Sequence, residues 1–185
     1  MSHKLDLPLW LIQFFAGAEL LTLLGQVQTR LGDLGGAWRN LTEAKAILTA
    51  NSSLGTVIAA STIAGRGEVQ LRRGNHKGAM DSFEMARKIR VKTSTLETPE
   101  GATLLADIGQ MHCYRGNFAR ARENFTEAKR VRTETDTLDT EEGRRLVNLF
   151  EALLSQSVHP LQAHVCPRNS VEATDTSGMT GSFRI

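Results

Sequence analysis

The chain has few aromatic residues, few cysteines and little excess of charge. Aromatic residues make up 5% of the 185 residues, so small aliphatic side chains must do most of the packing in the core. That composition suits closely packed helices better than a β-sandwich, which depends on aromatic and β-branched residues. Two cysteines, Cys113 and Cys166, are too few for a disulfide framework. They favour a reducing compartment, and we therefore expect a cytoplasmic protein.

Motifs for catalysis and metal binding are also missing. The sequence has neither a Gly-x-x-x-x-Gly-Lys-Ser/Thr phosphate loop nor a Gly-x-Ser-x-Gly nucleophile elbow. His112 and Cys113 are adjacent, and neighbouring residues of a helix point about 100° apart, so they cannot form a nucleophile–base pair. His159, His164 and Cys166 lie close together in the chain, but their spacing fits no standard metal site. We expect no enzymatic activity, no cofactor and no metal.

The chain does contain a repeat with a period of 42 residues. Five columns of small or apolar residues return at this spacing in three units: Gly25, Gly67 and Gly109; Gly32, Gly74 and Gly116; Ala37, Ala79 and Ala121; Leu41, Phe83 and Phe125; Ala44, Ala86 and Ala128. A repeat of this length indicates a stacked array, and such arrays usually bind other proteins.

Each unit is predicted to form two helices. The first helix of a unit should end at its second glycine, because glycine adopts the left-handed conformation of a helix C-terminus without penalty. Good N-capping residues begin the second helices, Asp33, Asn75 and Asn117, and the next first helices, Thr56, Thr98 and Thr140. The earlier glycines lie inside helices, where each costs about 1 kcal/mol relative to alanine. We therefore expect them to allow close approach of the paired helix.

The repeats divide the chain into segments. We expect three units, 18–59, 60–101 and 102–143, and a half-repeat, 144–157. The apolar segment 1–17 is predicted to cover the open end of the first unit. Asp6 argues against a secretory signal. The apolar run is too short to cross a membrane and is interrupted by Glu19. Residues 158–185 lose the period, are rich in polar and small residues, and are predicted to be a disordered tail.

These columns resemble the tetratricopeptide repeat, with unit three the best match through Gly109, Gly116, Ala121, Phe125 and Ala128. The family usually has an aromatic residue three positions after the first small residue, and here that column holds Gln28, Gln70 and His112. The unit is also longer than the usual length of about 34 residues, and is similar in this to kinesin light chain repeats. The resemblance implies an all-α, right-handed α-solenoid of stacked antiparallel helix pairs, with three full repeats and a half-repeat.

The resemblance also implies a concave groove, lined by the first helices, that binds a peptide or helix of a partner protein. The predicted groove residues are Glu19, Thr22, Gln26, Arg30, Glu68, Arg72, Gln110 and Tyr114. Relatives that bind the C-terminal carboxylate of chaperones use lysine and asparagine where this chain has Thr22, Gln26 and Glu68. A carboxylate would be repelled by Glu68, so we expect a different partner.

We expect a non-enzymatic adaptor or scaffold module, and two alternatives stay open. One is a regulatory or sensor arm, possibly a fragment, of a larger multidomain signalling protein. The other is an RNA-binding helical repeat, suggested by the basic ends of the second helices at 87–92 and 129–132. Those cations are explained more simply by the helix dipole, and no aromatic residues lie between them to stack on bases. The net charge of +2 gives no bias toward nucleic acid or membranes. The partner, the pathway and the oligomeric state remain open.

Overall fold

The structure is a computed structural model that describes residues 9–158, with side chains described for residues 16–155. Within this range the chain forms α-helices and no strand, which confirms the predicted all-α class. The helices are α1 (Leu9–Leu31), α2 (Leu34–Ala50), α3 (Val57–Arg72), α4 (His76–Lys92), α5 (Pro99–Tyr114), α6 (Phe118–Glu134) and α7 (Glu141–Val158).

The helices begin at the polar residues that the sequence indicated. Asp33 accepts a hydrogen bond from the Gly36 N–H at 2.8 Å, and Asn75 accepts one from the Gly78 N–H at 3.0 Å. The first helices begin in the same way at threonine hydroxyls, Thr56, Thr98 and Thr140, each of which accepts from the N–H three residues later. Every cap pairs a backbone donor that the first turn of a helix leaves without a partner.

The first helices end at the second glycine of each unit. Gly32, Gly74 and Gly116 have φ angles of +86°, +77° and +72°, in the left-handed region that glycine adopts without steric cost. Because the capping residue of the next helix follows directly, the chain reverses within a few residues. The predicted helix ends are therefore confirmed.

The two helices of a unit run in opposite directions and approach closely. Gly25 lies against Leu41, and Gln28, one turn later, accepts a hydrogen bond from Asn40 at 2.7 Å. A Cβ atom added to Gly25, Gly67 or Gly109 would lie 2.5, 2.7 or 2.6 Å from a side-chain carbon of Leu41, Phe83 or Phe125 respectively. Carbon atoms do not approach each other so closely without overlap, so glycine alone permits this packing. The predicted close approach is confirmed.

Each second helix also packs against the first helix of the following unit. α2 contacts α3, α4 contacts α5 and α6 contacts α7, while α1, α3, α5 and α7 contact one another in that order. Phe83 of α4 lies in one apolar cluster with Leu104 and Met111 of α5, and Phe125 of α6 lies in another with Leu146 of α7. Each large residue thus fills space within its own unit and against the next.

Helices form both ends of the described region. Residues 9–17 are the first turns of α1, continuous with the rest of that helix, so they extend it and do not fold back over its outer face. At the other end α7 reaches Val158, and Glu151 occupies the place of the first glycine. The remaining residues of the predicted tail lie outside the described range, as do His159, His164 and Cys166. No described helix is both long enough and apolar enough to cross a membrane.

Replacing Gly109 with valine tests the close approach. The added atoms would overlap the buried Phe125 ring, so we expect Gly109→Val to lose about 2 kcal/mol or more of unfolding free energy. Gly17→Val is the matched control, because a Cβ at Gly17 of α1 meets nothing within 4 Å. The unfolding free energy of Gly17→Val should stay within about 0.5 kcal/mol of that of the native chain. Urea denaturation followed by circular dichroism measures both, and equal losses would contradict the packing role.

Candidate binding groove

Two adjoining cavities lie on the first helices. The smaller one, which we call the four-helix cavity, has a volume of about 340 Å³ and is lined by residues of α1, α3, α5 and α7, among others Gln26, Ser61, Thr103 and Glu142. The larger one, which we call the C-terminal cavity, has a volume of about 1110 Å³ and is bounded mainly by α3, α5 and α7. Glu68 lines both cavities, so they lie next to each other.

Most of the predicted groove residues meet at these cavities. Gln26, Arg30 and Glu68 line the four-helix cavity. Glu68 recurs in the C-terminal cavity together with Arg72, Gln110 and Tyr114. Glu19 is exposed on α1 and lines neither cavity.

Thr22, a predicted groove residue, lines neither cavity and instead connects two helices. It is buried, and its hydroxyl donates to the Ala18 carbonyl at 2.7 Å and lies 2.7 Å from the Thr62 hydroxyl of α3. Its polar atom therefore joins α1 to α3 and does not face a ligand.

A side-chain bridge connects the first and last described helices. The Arg30 guanidinium lies 2.5 Å from the Glu142 carboxylate, although α1 and α7 do not otherwise pack against each other. A hydrogen bond to its own backbone and the positive charges of Arg30 and Arg132 lower the pKa of Glu142. Because the Arg30 side chain is 66% exposed, solvent screens the pair, and such pairs contribute about 0–1 kcal/mol. A ligand entering the four-helix cavity would therefore have only a weak bridge to displace.

Glu68 and Arg72 form a second pair where the two cavities meet. Arg72 donates to the Glu68 carboxylate at 2.9 Å and to the Thr29 carbonyl of α1 at 2.7 Å. The negative charge of Glu68 is thus partly balanced, and Arg72 also ties α3 to α1. Arg72 is therefore a scaffold residue as well as a groove residue.

Asp107 is a groove residue that the sequence analysis missed. It lines the four-helix cavity, is 7% exposed, and lies 3.5 Å from the Arg145 guanidinium of α7. Arg145 also donates to the Gln110 side-chain oxygen at 3.0 Å. Burial raises the pKa of the Asp107 carboxyl to about 7, although the nearby Arg145 opposes this. The repeat offered no signal for it, because the equivalent positions hold Leu23 and Gly65.

Two buried arginines support one side of the four-helix cavity. Arg90 and Arg132 occupy equivalent positions, are 2% exposed each, and form no ion pair among the described residues. Arg132 donates to the Thr103 hydroxyl at 2.7 Å and to the Thr140 hydroxyl at 3.1 Å. Desolvation by burial lowers the pKa of both arginines.

These contacts give the arginines a scaffold role. Arg90 makes the equivalent hydrogen bonds, because its guanidinium donates to the hydroxyls of Ser61 and Thr98. Each arginine therefore links its own second helix to a loop and to the neighbouring first helix. Unit one has Leu48 at this position and lacks the polar contacts. The charge pattern alone indicated dipole compensation, with RNA binding as the alternative, and it could not indicate a buried scaffold role because burial depends on the tertiary fold.

Comparison with known proteins finds no family model and no curated protein that matches the chain. Within the described residues, no group of histidine, cysteine, aspartate and glutamate side chains could hold a metal ion. The function must therefore be argued from the shape, polarity and packing of the cavities.

The environment of Asp107 predicts a pH-dependent stability. Its pKa is about 7 in the folded chain and about 3.9 in an unfolded one, so the folded chain binds more protons between these values. The stabilisation is complete below about pH 4 and is lost as the pH rises through 7. We expect the unfolding free energy of Asp107→Asn, relative to that of the native chain, to be on the order of 2–3 kcal/mol greater at pH 8 than at pH 5.

Urea denaturation at the two pH values measures this difference. Asp81→Asn is the control, because it makes the same chemical change at an exposed position of α4. If the stabilities of Asp107→Asn and the native chain change in parallel with pH, the account of the buried carboxyl is wrong.

Proposed function

We propose that the chain is a non-enzymatic protein-interaction module of the tetratricopeptide type. In this proposal the helix pairs form a right-handed α-solenoid, and the four-helix and C-terminal cavities are parts of its concave groove. The regular packing of each unit on the next supports the array, and so do the confirmed roles of the glycine columns. A cytoplasmic location belongs to the same proposal and rests on the low cysteine content.

The observation that carries the proposal is that residues of four separate first helices line one depression. Gln26 of α1, Glu68 of α3, Asp107 of α5 and Glu142 of α7 border the same cavity, although they are far apart in the sequence. The capped helices, the Gly-to-large contacts and the buried arginines hold these side chains in place. A partner segment would therefore bind a largely pre-formed surface, which lowers the entropic cost of association.

The polarity of the C-terminal cavity indicates the kind of segment it would accept. Cationic Arg72, Arg144 and Arg145 face anionic Glu68 and Glu141. Leu71, Leu149 and Tyr114 add apolar and aromatic surface to the same cavity. This combination suits an extended or helical peptide that carries apolar and mixed polar side chains.

A chaperone C-terminal tail is a poor candidate for the ligand. Of the three positions that would supply donors to a carboxylate, Thr22 is buried and Glu68 is anionic, which leaves only the amide of Gln26. Glu68 would repel a terminal carboxylate, and its pairing with Arg72 only partly offsets that charge.

Selection from a random-peptide display library tests the groove. Peptides selected on the native chain should lose at least tenfold in affinity for the double variant Gln110→Ala, Arg145→Ala. These side chains hydrogen-bond each other in the groove, and Arg145 is 47% exposed. The control is Arg122→Ala, Lys129→Ala, which removes exposed side chains from α6, a second helix, and should bind the peptides as the native chain does.

Affinities are measured by fluorescence anisotropy, and helical content by circular dichroism shows that the variants remain folded. Failure to select any peptide would argue against the proposal. So would selected peptides that bind the groove variant and the native chain equally well.

A further inference from the structure

The outer face of α1 carries a row of apolar side chains that the described residues leave uncovered. Leu20, Leu23, Leu24, Val27 and Leu31 are 60%, 54%, 44%, 52% and 80% exposed. Their spacing of three or four residues places them along one side of the helix, and we call this row the α1 stripe. A continuous apolar row of this kind commonly marks an interaction surface.

The stripe positions of Leu20 and Val27 have equivalents that are buried in both later units. The position of Leu20 corresponds to Thr62 and Leu104, which are 0% and 2% exposed. The position of Val27 corresponds to Val69 and Met111, which are both 0% exposed. The position is the same in each unit, so the difference in burial comes from a neighbouring helix, which the described residues do not supply for α1.

The helices that cover the later positions share a pattern. Val69 of α3 packs in one cluster with Ala37, Trp38 and Leu41 of α2. Leu104, Ile108 and Met111 of α5 pack in one cluster with Ala79, Met80 and Phe83 of α4. Both covering helices present a small residue, a large apolar residue next to it, and another large apolar residue four positions after the small one.

We propose that the α1 stripe is a docking surface for an amphipathic α-helix of a partner protein that presents this pattern. The helix would pack on α1 as α2 packs on α3 and α4 packs on α5, continuing a contact that the chain forms three times, α6 on α7 included. Leu20, Leu24 and Val27 correspond to Leu104, Ile108 and Met111, so the α4 type of helix fits best. This surface lies apart from the groove, because no residue of the stripe lines either cavity.

The chain itself offers no matching helix among its described residues. The patterned faces of α2 and α4 are already buried against its own first helices. The large apolar residues exposed outside α1 are Val57, Met85, Val91, Phe118 and Leu154. Of these residues, only Met85 and Val91 belong to the same helix. They are six residues apart, so they lie on different faces of that helix and form no apolar row. A second copy could offer its own α1 stripe, but that row consists of leucine and valine and lacks the small residue of the covering pattern. A separate polypeptide is therefore the occupant that the described residues favour over a second copy.

The test uses a fluorescent peptide with the sequence of α4, residues 76–92, and the full-length chain. A staple between positions 81 and 85, both exposed in α4, keeps the peptide helical, because isolated helices of this length are marginal in water. Fluorescence anisotropy should show saturable binding to the native chain. The variant Leu24→Asp, Val27→Asp should bind at least tenfold more weakly, because it places charge on the stripe.

Two controls accompany this comparison. Met85→Asp, Val91→Asp makes the same chemical change at residues of similar exposure, 50% and 56%, outside the stripe, and should bind as the native chain does. A peptide with Phe83→Asp should not bind. Circular dichroism of each variant shows that the fold is kept.

Three results would overturn the proposal. The first is the absence of saturable binding to the native chain. The second is binding of the peptide to the stripe variant with the same affinity as to the native chain, which would mean that the peptide replaces α4 within the chain. The third comes from sedimentation of the native chain. If it dimerises through the stripe and the peptide does not compete, the occupant is a second copy.

Discussion

The contact between a glycine of each first helix and a large apolar residue of its partner helix is the constraint on which this structure depends. At Gly67 and Gly109 the ring of a buried phenylalanine occupies the space where a side chain would begin. The two helices therefore lie close together, and the ring is also available to the next unit. The same ring thereby sets the distance between the two helices of a unit and also contacts the following unit. These two contacts together determine where the first helices lie.

The groove follows from this scaffold but is made of different residues. The columns that hold the helices together repeat, whereas the groove column Gln26, Glu68 and Gln110 changes from unit to unit. Arg90 and Arg132 belong to the scaffold, because their guanidinium groups are used by loops and neighbouring helices. Fixed backbone positions with variable side chains are suited to recognising one partner among many.

The proposed interaction surfaces have opposite chemistry because they lie at different places in the stack. The groove is polar and charged, and its side chains pair between neighbouring first helices, as Arg72 does with the Thr29 carbonyl and Arg145 with Asp107. At Leu20 and Val27 the α1 stripe occupies positions that both later units bury, and these residues are apolar although they are exposed here. One surface therefore suits a segment of mixed polarity, and the other suits an apolar helix face.

The sequence by itself determined the all-α class, the helix caps and stops and the close helix pairs, since each depends on local conformation or on residues of one repeat. It also indicated Gln26, Glu68 and Gln110, which do line the cavities. Only the tertiary structure decided that Thr22 is buried, that Asp107 faces Arg145, and that Arg30 meets Glu142 across 112 positions. Burial and charge pairing between distant units depend on how successive helices are oriented, and no local pattern records that orientation.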